Sequence, residues 1–215
     1  MHVDLIDHLR CPRTHEESAL VASIDRADGR DIETGSLGCP VCLAHYPIQG
    51  FVADFAGAMP SGLPFDDESM QPDDAGVMRA AALLDARVPG SWYLLFGAWG
   101  SLAAALVVSF DVRCVLLNPR ADVAPADGVS MLRVADRLPL APGWAAGAAL
   151  DGAAAQSPPL VEGARYALRA GARLVAPAAS PLPREVLELA RDESWWVAEH
   201  AAPVGPPIPL RRVSR

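Results

Sequence analysis

The chain has 215 residues, 51% of them apolar and 20% charged, with a formal net charge of -8. That length suits one medium domain plus a small one with a packed core, and the composition excludes general disorder. The acidic balance disfavours a nucleic-acid backbone as main partner, because phosphate binding needs clustered Lys and Arg; only Arg211, Arg212 and Arg215 make a basic tail.

The opening MHVDLIDHLRCP has neither a basic n-region nor an apolar h-region, so it does not read as a secretory signal. The most apolar run, Leu94 to Phe110, is too short for a membrane span and is interrupted by Gly97 and Gly100. A cytoplasmic location with no membrane contact is the default expectation. Three of the four cysteines lie in the first fifth of the chain, and in a reducing compartment such clustering suggests metal before disulfide.

Val3 to Leu9 is a short amphipathic start that delivers Cys11. Ala19 to Asp25 reads as a strand, Arg26-Ala27-Asp28-Gly29 as a tight turn, and Asp31 to Leu37 as the return strand. Gly38-Cys39-Pro40-Val41-Cys42 follows directly, then Tyr46-Pro47-Ile48 and an extended piece from Phe51 to Phe55. Two thiols in Cys-x-x-Cys spacing are aimed at one tetrahedral ion by the turn between them, and Cys11 lies across the hairpin from them. The fourth ligand is open on sequence. The spacing from Cys11 points to Thr14, a poor zinc ligand, so His15 is the first choice and His45 the second. The metal matters because so small a unit buries little core, and structural zinc contributes on the order of 10 kcal/mol to folding.

LIDHLRCP, the hairpin, CPVC, HYPI and FVADF together resemble the small zinc-ribbon family that activates tRNA and release-factor methyltransferases. The resemblance covers Val3 to Phe55 and implies zinc held by Cys11, Cys39 and Cys42, with His15 the expected fourth ligand from its place beside Thr14. Thr14 and Leu43 depart from it, Leu43 standing where the family has a turn glycine. The expected units are a zinc-ribbon-like domain over 1–58, a linker over 59–74 and an α/β domain over 75–215.

The linker contains three prolines and a run of acids, with Phe65 as a possible anchor. Ala75 to Arg87 reads as a helix ended by Pro89-Gly90. Trp92–Phe96 then reads as a strand, Ser101–Phe110 as a helix, and Arg113–Leu117, Val129–Val134 and Trp144–Leu150 as strands. Leu160–Ala170 reads as a helix capped by Gly171, Arg173–Ala176 as a strand, Pro183–Arg191 as a helix and Trp195–His200 as a last strand. This alternation predicts a Rossmann-like, mostly parallel sheet with helices on both faces.

Three segments, LLFGAWGS, DRLPLAPGWAAGAAL and LVEGARYALRAGARLVAP, resemble a class I S-adenosylmethionine-dependent methyltransferase domain over Ser91 to Ala202. That resemblance implies a glycine loop after the first strand, a ribose-binding acid after the second and another acid after the fourth. The strand-one acid corresponds to Leu95, the glycines to Gly97, Trp99 and Ser101, the ribose acid to Asn118 and the later acid to about Ala146; the losses at Leu95, Trp99, Asn118 and Ala146 point to a vacated site. Trp99 in particular is expected to fill the space a nucleoside needs. The preferred reading is therefore a non-catalytic pseudoenzyme that binds a protein partner or self-associates. The alternative is an S-adenosylmethionine-dependent methyltransferase with an atypical pocket formed by Gly97, Gly100, Asn118 and Asp136. A binding module for another small ligand, in a tryptophan-lined pocket, is the third. Asp151, in the loop after the fourth strand, reads as a turn former or a surviving acid. Cys114 reads as a buried thiol and His200 as structural, while Trp195 and Trp196 face opposite sides of their strand, so that at most one joins the core.

Overall fold

A computed structural model describes residues 1–57 and 73–201. Most of the linker, Phe65 included, and the basic tail lie outside the described residues. The chain opens with a 3-10 turn, Val3–His8, followed by strands β1 (Val21–Asp28), β2 (Asp31–Gly38), β3 (His45–Gln49) and β4 (Val52–Asp54). Helix α1 (Asp74–Leu84) is capped by Asp73, whose carboxylate accepts from the Gly76 N–H at 2.8 Å. Next come β5 (Trp92–Phe96), a 3-10 turn over Gly97–Leu102, α2 (Ala103–Phe110), β6 (Arg113–Leu117), β7 (Val129–Arg133) and β8 (Ala145–Ala149). The chain continues with α3 (Gly152–Ala155), α4 (Pro158–Ala167), β9 (Leu168–Pro177), β10 (Val186–Arg191) and β11 (Trp195–His200).

Among the described residues these strands form one mixed sheet in the order β1-β2-β3-β4-β7-β6-β5-β8-β9-β11-β10. The stretch β7-β6-β5-β8-β9 is parallel, and the C-terminal β10–β11 hairpin is antiparallel to it through β9. β4 pairs in parallel with β7, Val52 opposite Met131 and Asp54 opposite Arg133. The N-terminal strands therefore extend the Rossmann-like sheet, and one buried cluster runs from Leu5, Ile32 and Leu37 through Phe96 and Leu117 to Trp196. A second cluster on the opposite face joins Val77 and Leu84 of α1 with Leu102, Leu106 and Leu116.

Three sequence expectations are corrected. Pro183–Arg191 is not a helix: Val186 to Arg191 form strand β10, because the outer edge of β11 offers backbone partners that outweigh the local helix pattern. Gly171 does not cap α4. That helix ends at Ala167, and Gly171 sits at φ 76° inside β9, where the register jumps between the pairs Ala145–Leu168 and Gly147–Arg173. Trp195 and Trp196 do face opposite sides, but both pack: Trp196 is buried in one cluster, and Trp195 is half-buried against the other.

The opening 3-10 turn lies at the amino ends of the parallel strands. His8 stacks on Trp144 with ring centroids 4.2 Å apart and planes 5° from parallel, and His2 meets Trp92 edge-on at 6.1 Å. Asp4 binds Arg113 at 2.6 Å and also Arg30, and the Arg113 guanidinium lies 5.3 Å from the Trp92 ring centre. Burial lowers the pKa of both His2 and His8 below the ordinary histidine value, so the folded state favours the neutral rings. A folded histidine with a lowered pKa contributes stability that is complete above the unfolded value of about 6.5 and is lost as pH falls through it. The melting temperature is expected to drop between pH 7.5 and 5.5, with a shallower drop in His8→Gln, as followed by circular dichroism in matched buffers.

Candidate metal centre and cofactor cleft

Cys11, His15, Cys39 and Cys42 converge at the open end of the first hairpin, their ligand atoms all within 4.8 Å of one another. Cys11 Sγ lies 3.7 Å from Cys42 Sγ, and Cys39 Sγ lies 3.5 Å from His15 Nε2. Ligand atoms about 2.3 Å from a tetrahedral zinc stand roughly 3.8 Å apart, so this donor set fits that ion. The Glu16 carbonyl faces His15 Nδ1, and a carbonyl only accepts; Nδ1 therefore carries the proton and Nε2 is left as the ligand atom. His45, the other sequence candidate, sits on β3 with its ring beside Gly38, outside the cluster.

The thiols differ. Burial pushes the Cys11 thiol up, although the Tyr46 hydroxyl at 3.3 Å opposes this. Burial also works against the Cys39 thiolate, but the backbone N–H groups of Cys42 and Val41 and the neighbouring thiols prevail and bring it down to about 6. The knuckle closes through the Leu43 N–H, which donates to the Cys39 carbonyl at 3.0 Å. Leu43 adopts φ 56° with its side chain 75% exposed, so the position has glycine geometry without a glycine.

At the carboxyl ends of the parallel strands the order reverses between β5 and β8, since β5 to β7 run one way across the sheet and β8 to β9 the other. Open α/β sheets bind ligands at this switch point. Gly97 follows β5 there at φ 51°, Asn118 follows β6 at φ 53°, and Asp151 follows β8. These three, with Phe96, Leu117, Ala153 and Ala154, line a cleft of about 10 Å³. Asn118 Oδ1 accepts from the Val134 N–H at 2.8 Å and ties the end of β6 to the end of β7.

The other sequence candidates lie elsewhere. Gly100 packs toward Leu116 and Val123, and a Cβ there would stand 3.4 Å from Leu116 Cδ1. Asp136 lines a separate cavity of about 490 Å³ between the metal centre and α4, together with Arg10, His15, Arg137 and Tyr166. Trp99 does not stand in the cleft. Its indole is fully buried on the α1–α2 face, donates to the Leu150 carbonyl at 3.2 Å and meets Trp195 edge-on at 4.9 Å. Trp144 lies at the far end of β8 on His8. Neither cavity is lined by tryptophan, in contrast to the third functional reading. Cys114 is fully buried and its thiol is pushed up to about 12 by that burial.

Sequence reasoning under-weighted Asp151. The available signal was its place one residue beyond the fourth parallel strand, ahead of a glycine.

No protein family and no curated protein matches this chain. Among solved structures it is similar to a complex between the Haloferax volcanii Trm112 methyltransferase activator and a methyltransferase, at 16% identity over 46% of this chain and 49% of the other, TM-score 0.39. It is also similar to a methyltransferase from an antibiotic biosynthesis pathway of Anabaena variabilis, at 17% identity over 51% and 47%, TM-score 0.42. A third is a geranyl diphosphate methyltransferase in complex with S-adenosylmethionine, at 17% identity over 47% and 48%, TM-score 0.37. The matched region spans about half the length of each of those chains.

The expected non-catalytic scaffold is corrected: the indole on which that reading rested is packed in the core and does not line the cleft. No helix among the described residues is long and apolar enough to cross a membrane.

The metal centre is expected to take up one zinc per chain, measured by elemental analysis. Cys39→Ser should lose the ion and lower the melting temperature, whereas His45→Ala should retain it. Leu43→Gly should raise stability by about 1 kcal/mol in urea unfolding, because it removes the left-handed strain of a branched residue.

Proposed function

We propose that this chain is an S-adenosylmethionine-dependent methyltransferase with an atypical pocket, carrying its own zinc-ribbon unit on the edge of its sheet. The observation that carries this is the cleft at the strand-order reversal, where Gly97, Asn118 and Asp151 meet. The ribbon unit is supported by the Cys3His cluster and by the pairing of β4 with β7. In that arrangement a ribbon that resembles the methyltransferase activators occupies the sheet edge within the same chain, and its protein contact is internal.

The residues present do not fit the cofactor in this arrangement. A ligand pocket ordinarily holds about 300 to 1,000 Å³, and this cleft holds about 10 Å³. Asn118 has spent its carbonyl oxygen on Val134, so it offers a ligand N–H donors where an acid would accept both ribose hydroxyls.

The reading is tested by equilibrium binding of labelled S-adenosylmethionine to the zinc-loaded full chain. Weak, saturable binding is expected, displaced by S-adenosylhomocysteine and reduced about tenfold in Asn118→Ala. Binding that never saturates up to millimolar ligand would remove the reading.

A further inference from the structure

One side chain outside the four candidate ligands reaches the metal centre. Tyr46 lies on β3, where Tyr46 and Ile48 alternate inward between exposed neighbours. The residue is 7% exposed, and a phenol hydroxyl buried to that degree needs a hydrogen-bond partner. Among the described residues that partner is the Cys11 sulfur, 3.3 Å from the hydroxyl. A metal-bound thiol is deprotonated and only accepts, so with an ion in place the tyrosine is the donor.

The sulfurs are not served alike. Cys39 lies in the knuckle, where the backbone N–H groups of Val41 and Cys42 reach it. Cys11 has the Arg13 N–H beside its sulfur, while its own N–H is spent on the Ser18 carbonyl at 2.9 Å. Charge on a buried sulfur must be offset by donors, and the Tyr46 hydroxyl is the further one at Cys11. The phenol ring is held from behind. It packs on Phe55 with centroids 4.7 Å apart and planes 35° from parallel, and the Phe55 N–H donates to the Arg133 carbonyl at 2.8 Å. Tyr46 is also paired with Leu37 of β2. Strand pairing and ring packing thus fix where the hydroxyl points, independently of the ligands.

We propose that Tyr46 is a positioning residue of the metal centre: its hydroxyl donates to the Cys11 thiolate, fixes that ligand's orientation and tightens the hold on zinc. This rests on the zinc reading of Cys11, His15, Cys39 and Cys42 above. Groups that hydrogen-bond a metal ligand from outside the coordination sphere are worth about tenfold to a hundredfold in metal affinity.

The test equilibrates the zinc-loaded full chain with a chromophoric chelator, and repeats the loading with cobalt(II) as a spectroscopic stand-in. Tyr46→Phe keeps the ring and its packing on Phe55 and removes only the hydroxyl. It is expected to melt within a few degrees of the parent and to hold zinc about tenfold more weakly. A hydrogen bond lowers the energy of the thiolate electrons. The sulfur-to-cobalt charge-transfer band of Tyr46→Phe should therefore move to longer wavelength, with the tetrahedral cobalt bands in place. Equal zinc affinity in parent and Tyr46→Phe overturns the proposal and leaves the zinc reading standing. Weaker binding with an unmoved charge-transfer band also overturns it, because the loss would then come from packing and not from the bond to sulfur. If Tyr46→Phe does not fold, the parent labelled with 3-fluorotyrosine, a stronger donor, takes its place: its band should move to shorter wavelength, and an unmoved band overturns the proposal. A parent that holds no zinc overturns the zinc reading, and the role of Tyr46 with it.

Discussion

The structure depends on a short seam, the parallel pairing of Val52–Asp54 with Met131–Arg133. Two sheets that would each end in open edges become one sheet along these residues, and open edges are where sheets misassociate. The seam is reinforced by the Phe55 N–H donating to the Arg133 carbonyl at 2.8 Å and by Asp54 paired with Arg133 at 3.3 Å. It also sets where everything N-terminal to it must go. Leu5, Leu9 and Ile32 are brought onto the same apolar face as Phe96 and Trp196, so the small unit gains a core it lacks by itself.

The metal centre follows from that placement. Its four candidate ligands sit at the open end of the first hairpin, where Cys11 and Cys39 join the buried apolar cluster while His15 and Cys42 are half-buried. A tetrahedral ion would tie these loops together, a constraint that small units commonly use. The two loops it would hold also shape the 490 Å³ cavity, since Cys11 and His15 line it from one side and α4 from the other. Cys11 and His15 thus belong both to the candidate metal centre and to the wall of that cavity.

The two ends of the parallel strands have opposite characters. At the amino ends, His2, His8, Trp92, Trp144 and Arg113 form a closed aromatic and ionic plate that seals the sheet under the opening turn. At the carboxyl ends, a glycine at positive φ, an asparagine and a buried aspartate meet with almost no space between them. The first arrangement is saturated with packing. The second keeps the topology of a ligand site, with the Asp151 carboxylate packed against Gly97.

Much of this was legible in the chain. Cys-x-x-Cys after an Asp-Gly hairpin, with Cys11 before it, identified three metal-site candidates, because ligand spacing is a local property of a turn. His15 could be preferred over His45 only by spacing; the structure brings one ring to the thiols and leaves the other beside Gly38. The alternation of strand and helix likewise predicted a parallel sheet covered on both faces, since periodicity reports which residues are buried. What the sequence could not decide were directions and partners. Trp99 is a bulky residue in a glycine loop on paper, yet which side of the loop its indole takes depends on the space beside Leu150 and Trp195. Val186 to Arg191 carry helical propensity, yet the unpaired edge of β11 makes them a strand. Local composition thus determined which segments are buried and which turns hold ligands. Only the tertiary structure decided that Asp151 meets Gly97, because that depends on two strand ends, Phe96 and Ala149, brought side by side from distant parts of the chain.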